Sequence, residues 1–266
     1  MITLIDSPQM DTVEIRILID RPVASYYWEK KNKNEILLEQ VFEVFKISGN
    51  DRVGGYRSIC VRGGINIEVT HSMLKILAKG EFFLKGTAWI QIRTLLNYIH
   101  KGGFFFYLTR LDICRHFLAK KCSDPLNDLK NGFWLLKTGN SFYQPELYVR
   151  DVKRSLGSYF KSTTLVISCY SKSHQIAEYL QKLKKSRIKD ERRVRMENSI
   201  LHFQNKFREV DGEVYRIEWR ILSKVKLEAV NEVILAIQDE ENFCRTVLSM
   251  IEKSHPMRNS EKVLSK

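Results

Sequence analysis

The chain has 266 residues, 44% of them hydrophobic, which suffices for one large domain or a domain with a small appendage. Lys and Arg number 44 against 31 Asp and Glu, a formal charge of +13 that favours a polyanionic partner, nucleic acid first. No apolar run reaches the roughly 18 residues a membrane span needs. The start, Met1 to Asp6, lacks the basic flank and apolar core of a signal peptide. The five cysteines include no CxxC pair, so a reduced cytoplasm suits them better than a disulfide framework or a structural zinc site.

In chain order, Thr12 to Ile19 alternates at period two and predicts a strand with one buried face. Ile36 to Phe45 spaces its apolar residues three and four apart and predicts a helix. Gly54-Gly55-Tyr56 and Gly63-Gly64 punctuate a hairpin of Arg57–Val61 and Ile65–Val69. Ile90 to Ile99 reads as a helix closed by Gly102 and Gly103, and a strand follows from Phe104 to about His116. Lys120 to Gly132 is expected as a surface loop. Further strands are predicted at Thr163–Lys172 and Val214–Leu222, with one long basic helical stretch from His174 to Phe207 between them. Lys226 to Lys253 reads as a single amphipathic helix with Val230, Val233, Ile234 and Ile237 on one face, followed by a polar tail. Strands without a regular βαβ rhythm predict an α+β fold with largely antiparallel sheets and flanking helices. The expected domains are residues 1–225 and a C-terminal helix with its tail, 226–266.

Three of these strands carry chemistry on one face, because side chains two apart point the same way. Arg110, Asp112, Cys114 and His116 share a face, as do Ser168, Tyr170 and Lys172, and Arg216, Glu218 and Arg220. Leu111 and Ile113, Leu165 and Ile167, and Ile217, Trp219 and Ile221 stand behind them. Asp112, His116 and Glu218 offer oxygen and imidazole donors for a metal, Tyr170 a nucleophile, and Lys172 with the arginines a grip on phosphate. Each also has a plainer reading as part of a solvated sheet face. Tyr170 would then be a sheet-edge aromatic, Asp112 an ion-pair partner of Arg110, Glu218 a rung of a charge ladder, His116 a core or surface histidine, and Gly157-Ser158 a tight turn.

At these strands the sequence resembles the single-tyrosine rolling-circle replication initiators of plasmids and filamentous phages, and related conjugative relaxases. The resemblance rests on Arg110-Leu111-Asp112, then Gly157-Ser158 with Ser162 leading to Tyr170-Ser171-Lys172, then Arg216-Ile217-Glu218-Trp219-Arg220. It extends over roughly residues 11 to 225. The family usually has an acid four positions after the first aspartate, where this chain has His116, and often an acid where this chain has Ser171.

The resemblance implies a tyrosine, Tyr170, that attacks a DNA phosphodiester, stays joined to the 5′ phosphate and frees a 3′ hydroxyl. It implies Lys172 as the cation favouring the phenolate, and Mn²⁺ or Mg²⁺ on Asp112, Glu218 and His116. Its expected partners are duplex and single-stranded DNA at an origin or nick site, a host helicase and a second copy of the chain. Beside Arg110, Arg216 and Arg220, the basic run of Lys182, Lys184, Lys185, Arg187, Arg192, Arg193 and Arg195 is expected to contact phosphates. Its alternative is a solvated helix face. The rival function is a non-catalytic DNA-binding control protein of a plasmid or phage, which accounts for the charge but not for the order of Asp112, Tyr170 and Glu218.

Overall fold

A computed structural model describes residues 2–18, 33–48, 52–53, 58–61, 63–70, 73–119, 136–138, 141–143, 157–161, 165–184, 190–222 and 224–254. The strands are β1 (Ile2–Leu4), β2 (Gln9–Leu18), β3 (Arg52–Val53), β4 (Ser58–Val61), β5 (Ile65–Val69), β6 (Met73–Lys79), β7 (Phe106–Ala119), β8 (Leu136–Thr138), β9 (Ser141–Tyr143), β10 (Gly157–Lys161), β11 (Leu165–Ser171) and β12 (Glu213–Ile221). The helices are α1 (Lys33–Val44), α2 (Ala88–Lys101), α3 (Lys172–Leu183), α4 (Asp190–Lys206), α5 (Lys224–Ala236) and α6 (Glu240–Ser254), with a 3₁₀ segment at Gly80–Lys85. The fold is α+β with antiparallel pairing and flanking helices, as the patterning predicts.

The chain divides into two compact units. One comprises residues 11–111 and 224–238. Its strands run in the order β3-β4-β5-β6-β2, with the first half of β7 beside β2. Alternation does the work here: Val13, Ile15 and Ile17 of β2 and Leu74, Ile76 and Ala78 of β6 are buried, while Glu14, Arg16, Lys75 and Leu77 between them are half-exposed. Helix α2 buries Trp89, Ile92, Leu95, Leu96 and Ile99, a helical stripe, and packs against α1 and α5. It closes as its glycines predict, with Gly103 at φ 70 and the Phe104 amide donating back to the Ile99 carbonyl. β6 escaped the sequence reading. Met73–Lys79 follows so closely on β5 that no turn signal stronger than Thr70 separates the two.

The other unit comprises residues 1–10, 112–223 and 239–266. Its strands run β10-β11-β12-β7, and the end of β7 also pairs with β1. Three expectations are corrected in it. Gly157-Ser158 is no turn: both residues lie in β10, where Gly157 stands opposite Tyr170 and Ser158 opposite Cys169. The basic stretch is not one helix, since α3 ends at Leu183 with Lys184 as its cap and α4 begins at Asp190. The two helices pack on each other. The third correction is Lys172, which begins α3 rather than ending β11, because the Ser171 hydroxyl accepts the His174 amide at 3.1 Å and caps the helix.

The C-terminal stretch also breaks. Asp239 accepts the Asn242 amide at 2.8 Å and starts α6, while the Gln238 carbonyl accepts from the Trp89 indole at 2.5 Å. Val230 and Ile234 are buried in α5, and Phe243, Cys244, Val247, Leu248 and Ile251 form the buried face of α6. The expected loop 120–132 and the hairpin glycines 54–55 lie outside the described residues.

Gly63 and Gly64 turn β4 into β5 at φ 97 and φ 89. A β-carbon on Gly64 would lie 2.4 Å from the Lys79 carbonyl oxygen and 2.9 Å from the Phe82 nitrogen, both of them backbone atoms. Gly64→Ala should therefore cost at least about 2 kcal/mol, combining left-handed strain with a contact that no side chain can relieve. Urea unfolding checks this; an unchanged midpoint would show that the turn relaxes freely.

Candidate active site

The burial of β11 alternates along its length, with Leu165, Ile167 and Cys169 in the core and Val166, Ser168 and Tyr170 half-buried on the other face. β12 runs antiparallel beside it, setting Arg216 opposite Tyr170, Glu218 opposite Ser168 and Arg220 opposite Val166. Ile217, Trp219 and Ile221 are buried behind them. The period-two reading of both strands thus holds, and ladder partners share a face, so Tyr170, Arg216, Glu218 and Arg220 come together.

The contacts are close. The Tyr170 hydroxyl donates to Glu218 Oε1 at 2.7 Å. Arg216 Nε lies 2.8 Å from the same oxygen, with both side chains largely buried. On the next strand, β7, Asp112 is 1% exposed and receives Arg220 Nε at 3.1 Å. Three strands therefore deliver one tyrosine, two carboxylates and two arginines to a single face. The ion pair that Asp112 forms here is with Arg220 of the neighbouring strand. Arg110 lies two residues earlier on β7 and is half-buried.

Two further residues named from the sequence have partners of their own. Lys172 Nζ donates to Gln175 Oε1 at 2.7 Å, one turn along α3, since the helix start turns its side chain off the strand alternation. His116 is buried, with its Nδ1 2.6 Å from Asp6 Oδ2 and its ring 5.0 Å from that of Phe207. Asp6 was invisible to sequence reasoning, because nothing local marks it. It receives the His116 amide at 2.7 Å and the Lys206 ammonium at 2.7 Å, while its own carbonyl receives Arg115 Nε at 2.8 Å. It ties the N-terminal segment to β7 and α4.

Those pairings decide how a divalent ion would fit. Among the described residues no three His, Cys, Asp or Glu side chains are grouped to hold one. Glu218 is engaged by Tyr170 and Arg216, Asp112 by Arg220, and His116 by Asp6. As arranged, these residues do not form the expected ligand set.

The helical hairpin supplies the basic flank. Tyr179 and Lys182 of α3 face Arg192, Arg195, Met196 and Ser199 of α4 across a cavity of about 180 Å³. Lys182 bonds Glu178 at 2.9 Å, Lys184 is exposed and Arg193 half-buried, while Lys185 and Arg187 lie outside the described residues. Cys114, Cys169 and Cys244 form no disulfide and are buried, and burial pushes the last two thiols up, away from the reactive thiolate.

No family model matches the sequence, and no curated protein matches it. Among solved structures, the fold resembles that of a rolling circle replication initiator protein from Geobacillus stearothermophilus. The TM-score is 0.51 at 12% identity, over 96% of this chain and 86% of that one. An aspartate kinase from Clostridium acetobutylicum overlaps at a TM-score of 0.21 and 8% identity, covering 89% of this chain and 35% of that one, and carries no argument. Among the described residues no helix is long and apolar enough to cross a membrane.

Burial pushes His116 down to about 4, against the hydrogen bond and charge of Asp6, which act to raise it. Asp6 is itself held below its usual range, because His116 and Lys206 outweigh the cost of burying its carboxylate. A base depressed in the folded state takes its proton first in the unfolded chain. Its contribution is complete above about 6.5 and is lost as the pH falls towards 4. The unfolding free energy should drop by about 3 kcal/mol across that window. His116→Asn, which can still donate to Asp6 but does not titrate there, should flatten the loss. Equal slopes in urea titrations of the two proteins would remove His116 as the cause.

Proposed function

We propose that this protein nicks one strand of DNA through Tyr170, as a rolling-circle initiator does, forming a covalent 5′-phosphotyrosine. The observation that carries the reading is the Tyr170 hydroxyl held at 2.7 Å by a carboxylate that is itself paired to an arginine. The fold likeness and the +13 charge support it.

In the proposed step the Tyr170 oxygen bonds to phosphorus, the bond from phosphorus to the 3′ oxygen breaks, and that oxygen leaves with a proton from solvent. The phenolic proton passes to Glu218. A phenol is a far weaker acid than a carboxylic acid, so the transfer accompanies attack rather than preceding it. Arg216, opposite Tyr170 on the ladder, offsets negative charge on the phenol oxygen, and Arg220 pairs with Asp112. This assigns to Glu218 and Arg216 the activation first expected of Lys172.

No step here runs through a metal. The Mn²⁺ or Mg²⁺ that the resemblance implies would compete with Arg216 for Glu218 and with Arg220 for Asp112, and metal dependence is a separate proposal. Origin recognition, a helicase partner, self-association and a cytoplasmic setting belong to the same reading. The second reading, a DNA-binding control protein without catalysis, draws on one observation: both carboxylates already have arginine partners.

Tyr170→Phe should retain fold and DNA affinity and form no denaturant-resistant adduct with labelled single-stranded DNA. An adduct in the Phe variant would pass the role to another tyrosine, and no adduct in the wild type would favour the second reading. Glu218→Gln should slow adduct formation by about 10²- to 10⁴-fold, the usual worth of a positioned proton acceptor. Adduct formation that rises with Mn²⁺ in the wild type and not in Asp112→Asn would assign the ion to Asp112. Full activity in excess chelator would dispense with it.

A further inference from the structure

The cavity between α3 and α4 has no part in the nicking step, yet its lining is selective. Arg192, Arg195 or Met196, and Ser199 recur at spacings of three and four, which places them on one face of α4. Tyr179 and Lys182 do the same on α3. The walls therefore hold three cations and two hydroxyls around one thioether, a donor-rich set with no acid among its lining residues. Lys182 is partly neutralised by Glu178 at 2.9 Å, whereas neither Arg192 nor Arg195 forms a salt bridge among the described residues.

Volume limits what can enter. At about 180 Å³ the cavity is well below the roughly 300 Å³ at which drug-sized ligand sites begin, so it suits one phosphate group rather than a whole nucleotide. A duplex cannot penetrate such a space, whereas a single strand can turn one phosphodiester into it. The cavity also neighbours the tyrosine site: α3 starts two residues past Tyr170 and packs against β12, the strand that carries Arg216 and Glu218. Those two residues hold Tyr170.

We propose that the cleft between α3 and α4 is a phosphate subsite that grips one phosphodiester of a single DNA strand near the one that Tyr170 attacks. The location of the attacked phosphate rests on the nicking reading; the subsite itself does not. Arg192 and Arg195 supply the charge, Ser199 and Tyr179 donate to the non-bridging oxygens, and Met196 closes the floor. Anchoring one phosphate fixes the register of its neighbour, which is how backbone contacts position a strand without reading its sequence.

The test uses the full chain and oligothymidylate binding measured across a salt series. Arg192→Gln with Arg195→Gln should lower the slope of log affinity against log salt by about 1.4, two contacts at about 0.7 each on single strands. A charge-matched control, Lys79→Gln with Lys101→Gln, should leave the slope near that of the wild type. Ser199→Leu fills the cavity without changing net charge, and should weaken oligothymidylate binding about tenfold while thermal unfolding stays as in the wild type. If Ser199→Leu binds normally, or the paired arginine variant behaves as the lysine control does, the subsite is overturned. Should Ser199→Leu fail to fold, the arginine and lysine pairs decide alone. Inorganic phosphate binding that the arginine variant loses, with oligothymidylate binding intact, would assign the cleft to a free anion and also overturn the DNA subsite. Adduct formation is scored separately. Its absence in the wild type, with the salt-slope result as expected, would sink the nicking reading and leave the subsite standing.

Discussion

Glu218 Oε1 accepts the Tyr170 hydroxyl and lies within 2.8 Å of Arg216 Nε, and the reactive face is organised around that oxygen. Taking a carboxylate out of water is costly unless it is paired and hydrogen-bonded. Here the ladder of β11 and β12 supplies both partners, one from across the strands and one from two residues along. A slip of one residue in that register would send Tyr170 to the core face and bring Cys169 outward. The apolar rear face prevents the slip, since Ile167, Cys169, Ile217 and Trp219 are all buried. Hydrophobic alternation and polar chemistry thus enforce each other: the core fixes the register, and the register builds the site.

The same logic explains what could be seen in the sequence. Period-two alternation exposed the faces of β7, β11 and β12, and complementary residue types suggested that the three meet. Strand pairing then brought Asp112, Tyr170, Arg216, Glu218 and Arg220 together. Lys172 was misplaced because one hydroxyl, that of Ser171, converts the end of the strand into a helix cap, and a local cap overrides extrapolated alternation. The C-terminal helix was drawn too long for a like reason, Asp239 restarting the chain as α6. His116 shows a different limit. Its partner Asp6 lies 110 residues away, and no spacing rule connects residues so distant. The basic run read as one helix because it contains no Gly or Pro, but absence of a breaker does not ensure continuity. Lys184 closes α3, and α4 packs back against it.

At 12% identity little beyond patterning is shared with the Geobacillus initiator, yet the two folds correspond at a TM-score of 0.51. Two sequences this different can build the same sheet because burying a hydrophobic residue of about the right size at every second position is enough to specify it. Chemistry does not persist so cheaply, and a fold can host unrelated functions. The functional reading therefore has to stand on particular atoms of this chain. It stands on the Tyr170–Glu218–Arg216 contacts, which exist whatever the ancestry.

Arginine is the residue that gives this site its character. Where a divalent ion would gather Asp112, Glu218 and His116, the structure puts Arg220 on the first, Arg216 on the second and Asp6 on the third. A guanidinium stays charged at any physiological pH and presents its donors in a fixed fork. It can therefore hold a buried carboxylate and still offer the remaining N–H groups to a phosphate. Burial keeps His116 neutral at pH 7, so it adds no charge to this balance. The helix that carries Tyr179, α3, packs against both α4, with Arg192 and Arg195 lining the shared cleft, and β12, the strand of Arg216 and Arg220. On the proposed reading, a strand held between α4 and β12 is drawn in by charge, while the Tyr170 hydroxyl does the covalent work. Separating the two roles in this way would let binding strength change by surface substitution without disturbing the hydrogen bond from Tyr170 to Glu218.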